Sequence, residues 1–183
     1  MAAGDELLIA DVSDSNNIKK VTAQSIANLG GGAIGQVLST IKTDTFTMSS
    51  STFADVTGLS VAITPASTAS TILVMFNVNG SNNTAVDNSV NIRLLRDSTD
   101  IAQADAASNR TLTTATITAL NTNVMGSAGM SFIDTPATMS EVIYKIQIAA
   151  SNDGDAHINR SNADSDISSV GRATSSISVL EIL

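Results

Sequence analysis

QVLSTIKTDTFTMSSSTFADVTGLSVAITPASTASTILVMFNV, residues Gln36–Val78, is the stretch that decides the fold. It reads as three β-strands, Gln36–Met48, Val56–Thr64 and Thr71–Val78, joined by turns of Ser, Thr, Gly and Pro, with no room for a helix of useful length. Leu59, Val61 and Ile63 alternate with Ser60, Ala62 and Thr64, the period of a strand with one buried face. The run Thr71–Val78 differs. It places Ile72, Val74, Phe76 and Val78 on one side and Leu73 and Met75 on the other, so both of its faces ask for cover.

The same signals continue to the end of the chain at intervals of about eight to twelve residues, the spacing of sandwiches and barrels. Further strands are expected at Val90–Arg96, Ile101–Ala106, Thr111–Asn121, Ala128–Ile133, Glu141–Ala150, His157–Ser161 and Ser175–Leu183. Val142, Tyr144, Ile146 and Ile148 oppose Glu141, Lys145 and Gln147. In the last strand Ile177 and Val179 oppose Leu180 and Ile182. Turns are expected at Gly80-Ser81-Asn82-Asn83, Asp97-Ser98-Thr99-Asp100, Asp134-Thr135-Pro136 and Asn152-Asp153-Gly154-Asp155. Two doubly apolar strands favour cover by neighbouring copies around a symmetry axis.

Residues 1–35 read differently from 36–183. Leu7, Leu8 and Ile9 form an apolar extended run, followed by turn residues over Asp11–Asn17. Ile18, Thr22, Ile26 and Leu29 then fall on one helical stripe, with Thr22 as N-cap and Gly30 just past the end. Gly30-Gly31-Gly32-Ala33-Ile34-Gly35 reads as a hinge. It follows a helical pattern and has no Lys-Ser/Thr pair behind it, so it is no phosphate-binding fingerprint. An arm with no core of its own gains stability by burying Leu7, Leu8, Ile9, Ile18, Ile26 and Leu29 on a partner.

Composition narrows the function classes. The 183 residues contain no cysteine, which removes disulfides, thiolate metal sites and thiol catalysis. A net charge of −8 opposes binding to nucleic-acid phosphates. The N-terminal MAAGDELLIADVSD lacks the basic and long apolar regions of a secretory signal, and apolar runs such as Ile72–Phe76 are too short to cross a bilayer. Ser and Thr make up roughly a quarter of the chain and charged residues only 14%, a surface habit of extracellular and virion β-proteins.

Catalytic signals are sparse. His157 is the one histidine and no Gly-x-Ser-x-Gly elbow is present, so His157 reads as structural. The best chemical candidate is a hard-cation site from Asp153, Asp155, Asp164 and Asp166. Asn162-x-Asp164-x-Asp166 opens like a calcium loop, but Ile167 and Ala173 stand where glycine and the bidentate Glu belong. An acidic solvated loop is the simpler reading, and no cofactor is expected. Phe46, Phe53, Phe76, Phe132 and Tyr144 sit in or beside strands, where core packing is the default, and there is no Trp for sugar stacking.

Two stretches carry a family resemblance. DELLIADVSDSNNIKKVTAQSIANLGGG looks like the leader of phage tail-fibre and related virion proteins. GQVLSTIKTDTFTMSSSTFADVTGLSVAITPAS, with EVIYKIQIAA, INRSNADSD and GRATSSISVLEIL, is similar to phage proteins with a jelly-roll head of the trimeric tumour-necrosis-factor-like kind. The resemblance implies an all-β chain with a jelly-roll sandwich over 36–183 and an attachment arm over 1–35. It implies a homotrimeric, non-enzymatic fibre, spike or head-decoration protein, made in the host bacterial cytoplasm and joined to another virion protein through the arm. No shaft of repeats lies between arm and head, so a compact decoration or short spike suits the chain as well as a fibre tip. The alternatives are a module binding host-surface glycan through polar loops and, behind it, a polysaccharide hydrolase.

Overall fold

A computed structural model describes residues 6–11, 17–22, 33–83, 88–119, 121–152 and 154–183. The chain divides into two compact units, Met1–Ala33 with Leu183, and Ile34–Ile182. In the first, β1 (Glu6–Asp11) pairs antiparallel with β2 (Asn17–Thr22), in a register running from Glu6 opposite Thr22 to Asp11 opposite Asn17. Leu7, Leu8 and Ile9 are thus extended, as their pattern suggests. Ile18 and Thr22 are not helical. They belong to a strand, because a partner of matching length satisfies their backbone groups, whereas one helical turn is a poor nucleus. The helix expected between the Thr22 cap and Gly30, with Ile26 and Leu29, lies outside the described residues, as do Gly30–Gly32 of the hinge. Ile34 and Gly35, read above as hinge, open strand β3.

The second unit is a β-sandwich of two antiparallel sheets. One contains β3 (Ile34–Lys42), β13 (Ser175–Ile182), β6 (Thr71–Asn82), β12 (Ala156–Ile158) and β4 (Phe46–Met48) in that order, with β10 (Gly126–Asp134) along the other edge of β6. The other runs β5 (Ala54–Ile63), β11 (Val142–Ala150), β7 (Val90–Arg96), then β8 (Thr99–Asp100) and β9 (Ala115–Ile117), both on the far side of β7. Among the described residues there is no helix.

Alternation places the core. Ile72, Val74, Phe76 and Val78 of β6 join Leu59, Val61 and Ile63 of β5, Tyr144, Ile146 and Ile148 of β11, and Ile177 and Val179 of β13 in one buried cluster. Each such aliphatic contributes roughly 1.5–3 kcal/mol relative to exposure. Phe46 and Phe132 pack against the cluster partly buried, while Phe53 stacks under the Arg93 guanidinium, 3.8 Å from its ring centre.

Several boundaries differ from the sequence reading. The single strand expected over Gln36–Met48 is two, β3 and β4, because Lys42 turns inward and Thr43–Thr45 leave the sheet. Ile101–Ala106 is not a strand, and Thr111–Asn121 contributes only Ala115–Ile117. Ile101 and Ala102 instead pack against the core from a loop. The turn expected at Gly80–Asn82 is the end of β6, since β12 supplies its ladder partners, with Ile158 opposite Gly80 and Ala156 opposite Asn82. Gly80 is required there by close approach: a Cβ would overlap the His157 carbonyl oxygen.

Candidate functional site

The outer face of the sheet holding β6 is the most unusual surface. Register aligns Val37, Leu180, Leu73 and Ile133 in one row across β3, β13, β6 and β10. The next row is Ser39, Ser178, Met75 and Ser131, and the one beyond it Ile41, Ser176, Asn77 and Gly129. Across these rows the face carries no charge. Val37 is 61% exposed, Ile41 64% and Ile133 60%, so on a chain with net charge −8 this face offers apolar side chains to solvent among small polar ones. Leu73, Met75, Leu180 and Ile182, set apart by alternation in the sequence, all fall on this face.

The opposite outer face is polar and carries a cleft of about 670 Å³. Its shape comes from a bulge. Lys145 lies opposite Ser60 and Gln147 opposite Asp55, so Val56, Thr57, Gly58 and Leu59 stand against Ile146 alone. The excursion turns on Gly58, whose φ of +79° favours glycine. Lys42, only 3% exposed, reaches across from β3 to donate to the Thr57 carbonyl at 2.8 Å and to both Asp44 oxygens at 2.9 Å. On the cleft wall Asp55 accepts from Lys145 at 2.9 Å and Gln147 at 2.7 Å. The Lys145 bond outweighs desolvation and holds the Asp55 carboxyl below its usual range. On the other wall, Asp97 takes a left-handed turn with φ of +54° and binds Ile143 twice through backbone N–H and Oδ1.

Two buried polar systems brace the sandwich, the first of them between its two sheets. Asp134, ending β10, accepts from Arg96 Nη1 at 2.8 and 2.7 Å and from Tyr144 Oη at 2.7 Å. Glu181, fully buried on β13, accepts from Gln36 Nε2 at 2.7 Å and the Ala66 N–H at 2.6 Å. Burial pushes its pKa up, but the donors around it outweigh that and hold it low. Sequence reasoning passed over Lys42, Asp134 and Glu181. The signal for Glu181 was present, since it shares the inward alternation of Ile177 and Val179.

His157 is 4% exposed on β12. Its Nε2 donates to Asn162 Oδ1 at 3.0 Å, leaving Nδ1 to accept from Thr47 Oγ1 at 3.1 Å. Desolvation is the main cause that lowers its pKa, so the ring is neutral with both nitrogens occupied. No serine hydroxyl or carboxylate bonds to it among the described residues.

The sequence candidates for a cation are spread out. Asp153 lies outside the described residues. Asp155 accepts from Ser49 Oγ. Asp164 is paired with Arg172 at 2.7 Å and Arg160 at 3.8 Å, and Asp166 is exposed. Among the described residues no three carboxylate or imidazole groups gather around one point. Of the arm residues, Leu7, Leu8 and Ile9 lie on β1 and Ile18 on β2.

The fold and these surfaces define an antiparallel β-sandwich with one charge-free outer face and one polar, clefted face. No family model matches the chain, and no curated protein matches it.

Proposed function

We propose that this chain is a structural protein of a bacteriophage virion, a homotrimeric short spike, fibre tip or head decoration. Residues 36–183 form its jelly-roll head, and residues 1–35 attach it to another virion protein. The observation that carries the reading is the charge-free face with its row Val37, Leu180, Leu73 and Ile133. Copies of an acidic chain repel one another, so they associate best where no charge must be buried unpaired. Each aliphatic covered there contributes roughly 1.5–3 kcal/mol before ordering costs. The resemblance of leader and body to phage proteins supports three copies and a place in the virion.

The jelly-roll reading is supported by strand order. β3-β13-β6-β10 lies against β5-β11-β7-β9, and the chain changes sheet at β4–β5, β5–β6, β6–β7, β9–β10, β10–β11 and between β11 and β12–β13. Such repeated crossing is how two Greek keys wind into a double sheet.

Sedimentation equilibrium at micromolar concentration should return three times the mass of the 18.7 kDa chain. A monomer would overturn self-association, and a dimer would overturn the trimer. Electron microscopy of the particle, labelled with antibody to the sandwich, should place the chain on its surface; unlabelled particles would overturn the virion assignment.

A further inference from the structure

The cleft on the polar sheet is not needed for assembly by the opposite face, and its chemistry suits a ligand. Its volume of about 670 Å³ falls within the usual range for small-molecule sites, about 300–1,000 Å³. Asp55, Ser60, Asp97, Ser98, Ile143 and Lys145 line it. The groups on its walls are held rigidly. Asp97 is fixed by its double bond to Ile143, and Asp55 and Lys145 hold each other. Yet hydrogen-bonding capacity remains free. The hydroxyls of Ser60 and Ser98 and the Oδ2 of Asp97 have no protein partner among the described residues. Ile143, 40% exposed, supplies an aliphatic patch between them.

Ligand classes can be weighed against this lining. Two carboxylates against one ammonium disfavour an anion. No aromatic ring lines the cleft to stack a planar heterocycle. A bare cation would find one free carboxylate oxygen, Asp97 Oδ2, in a cleft that also holds the Lys145 ammonium, which repels it. What remains is a compact neutral polyol, whose hydroxyls donate to carboxylates, accept from serine and lysine, and lay a C–H face on Ile143.

We propose that this cleft binds a neutral pyranose saccharide, with Asp97 Oδ2 and Ser60 Oγ as its specific partners. This site does not rest on the trimer reading, because it opens on the other sheet. Failure of one leaves the other standing.

Saturation-transfer NMR on the full chain tests it, using the methyl glycosides of glucose, galactose, mannose and N-acetylglucosamine at millimolar concentration. At least one sugar should receive transfer. Asp97→Asn keeps the Oδ1 bond to Ile143 and tolerates the left-handed turn, but turns the free acceptor into a donor. It should weaken binding about tenfold or more, as should Ser60→Ala. Ser178→Ala, on the charge-free face, should leave binding unchanged. Absence of transfer to all four sugars overturns the proposal. So does equal binding by the wild type and by Asp97→Asn and Ser60→Ala with unchanged thermal midpoints.

Discussion

Tyr144 Oη donates to Asp134 Oδ2 at 2.7 Å, joining β11 of one sheet to the end of β10 of the other inside the sandwich. The tyrosine is fully buried, and desolvation, reinforced by the Asp134 carboxylate, pushes its hydroxyl pKa far up. It therefore stays a donor at every accessible pH, and Arg96 shares the same carboxylate. Tyr144→Phe keeps the ring packing and removes only that donor. We expect a loss of about 1–3 kcal/mol, seen as a lower urea midpoint with an unchanged slope. An unaltered midpoint would mean that Arg96 alone suffices.

Charge placed in the apolar row tests assembly without touching the core. Leu180 lies between Val37 and Leu73, so Leu180→Lys puts an ammonium at the centre of the proposed contact. The variant should sediment as a monomer while keeping the wild-type circular dichroism spectrum. A trimer that survives it would move the interface to another surface.

His157 gives the sandwich a pH-dependent term of known sign. Its folded pKa lies below the ordinary 6.5, chiefly through desolvation, so the unfolded chain takes up the proton first as pH falls. The stabilisation is complete above pH 6.5 and is lost as pH drops from there to the folded pKa, below which it levels off. Urea midpoints measured across that window should decline in the wild type and decline less in His157→Gln. Parallel curves would show that another group carries the dependence.

Two glycines make opposite predictions. Gly80→Ala drives a methyl into the His157 carbonyl where β12 crosses the end of β6, and should destabilise by about 3 kcal/mol or more, or prevent soluble expression. Gly171→Ala meets nothing within 4 Å, so its midpoint should match the wild type. If both variants behaved alike, the close approach of β12 to β6 would be wrong.

Much of the fold was legible in the residues. Alternation at Leu59–Ile63 and Val142–Ile148 gave the strands and their inward faces, because a half-buried strand needs nothing beyond its own period to declare itself. The errors cluster where partners decide. Gly80 to Asn82 carry turn residues but lie in a strand, since β12 pairs with them. Ile101–Ala106 alternates like a strand but forms a loop that packs on the core through Ile101 and Ala102 alone. Ile18 and Thr22 fit a helical stripe but pair with β1. Of the surfaces, the apolar set Leu73, Met75, Leu180 and Ile182 could be read directly. The cleft could not, because its walls, Asp55–Ser60, Asp97–Ser98 and Ile143–Lys145, are distant in the chain.

The sequence by itself determined that this protein is all-β and that two of its strands are apolar on both sides, since hydrophobic periodicity is a local property. Only the tertiary structure decided that those second faces align in one uncharged row, and that Lys42, Asp134 and Glu181 are buried with partners. Strand register and a bulge at Gly58 set these relations, and both depend on which distant segments lie side by side.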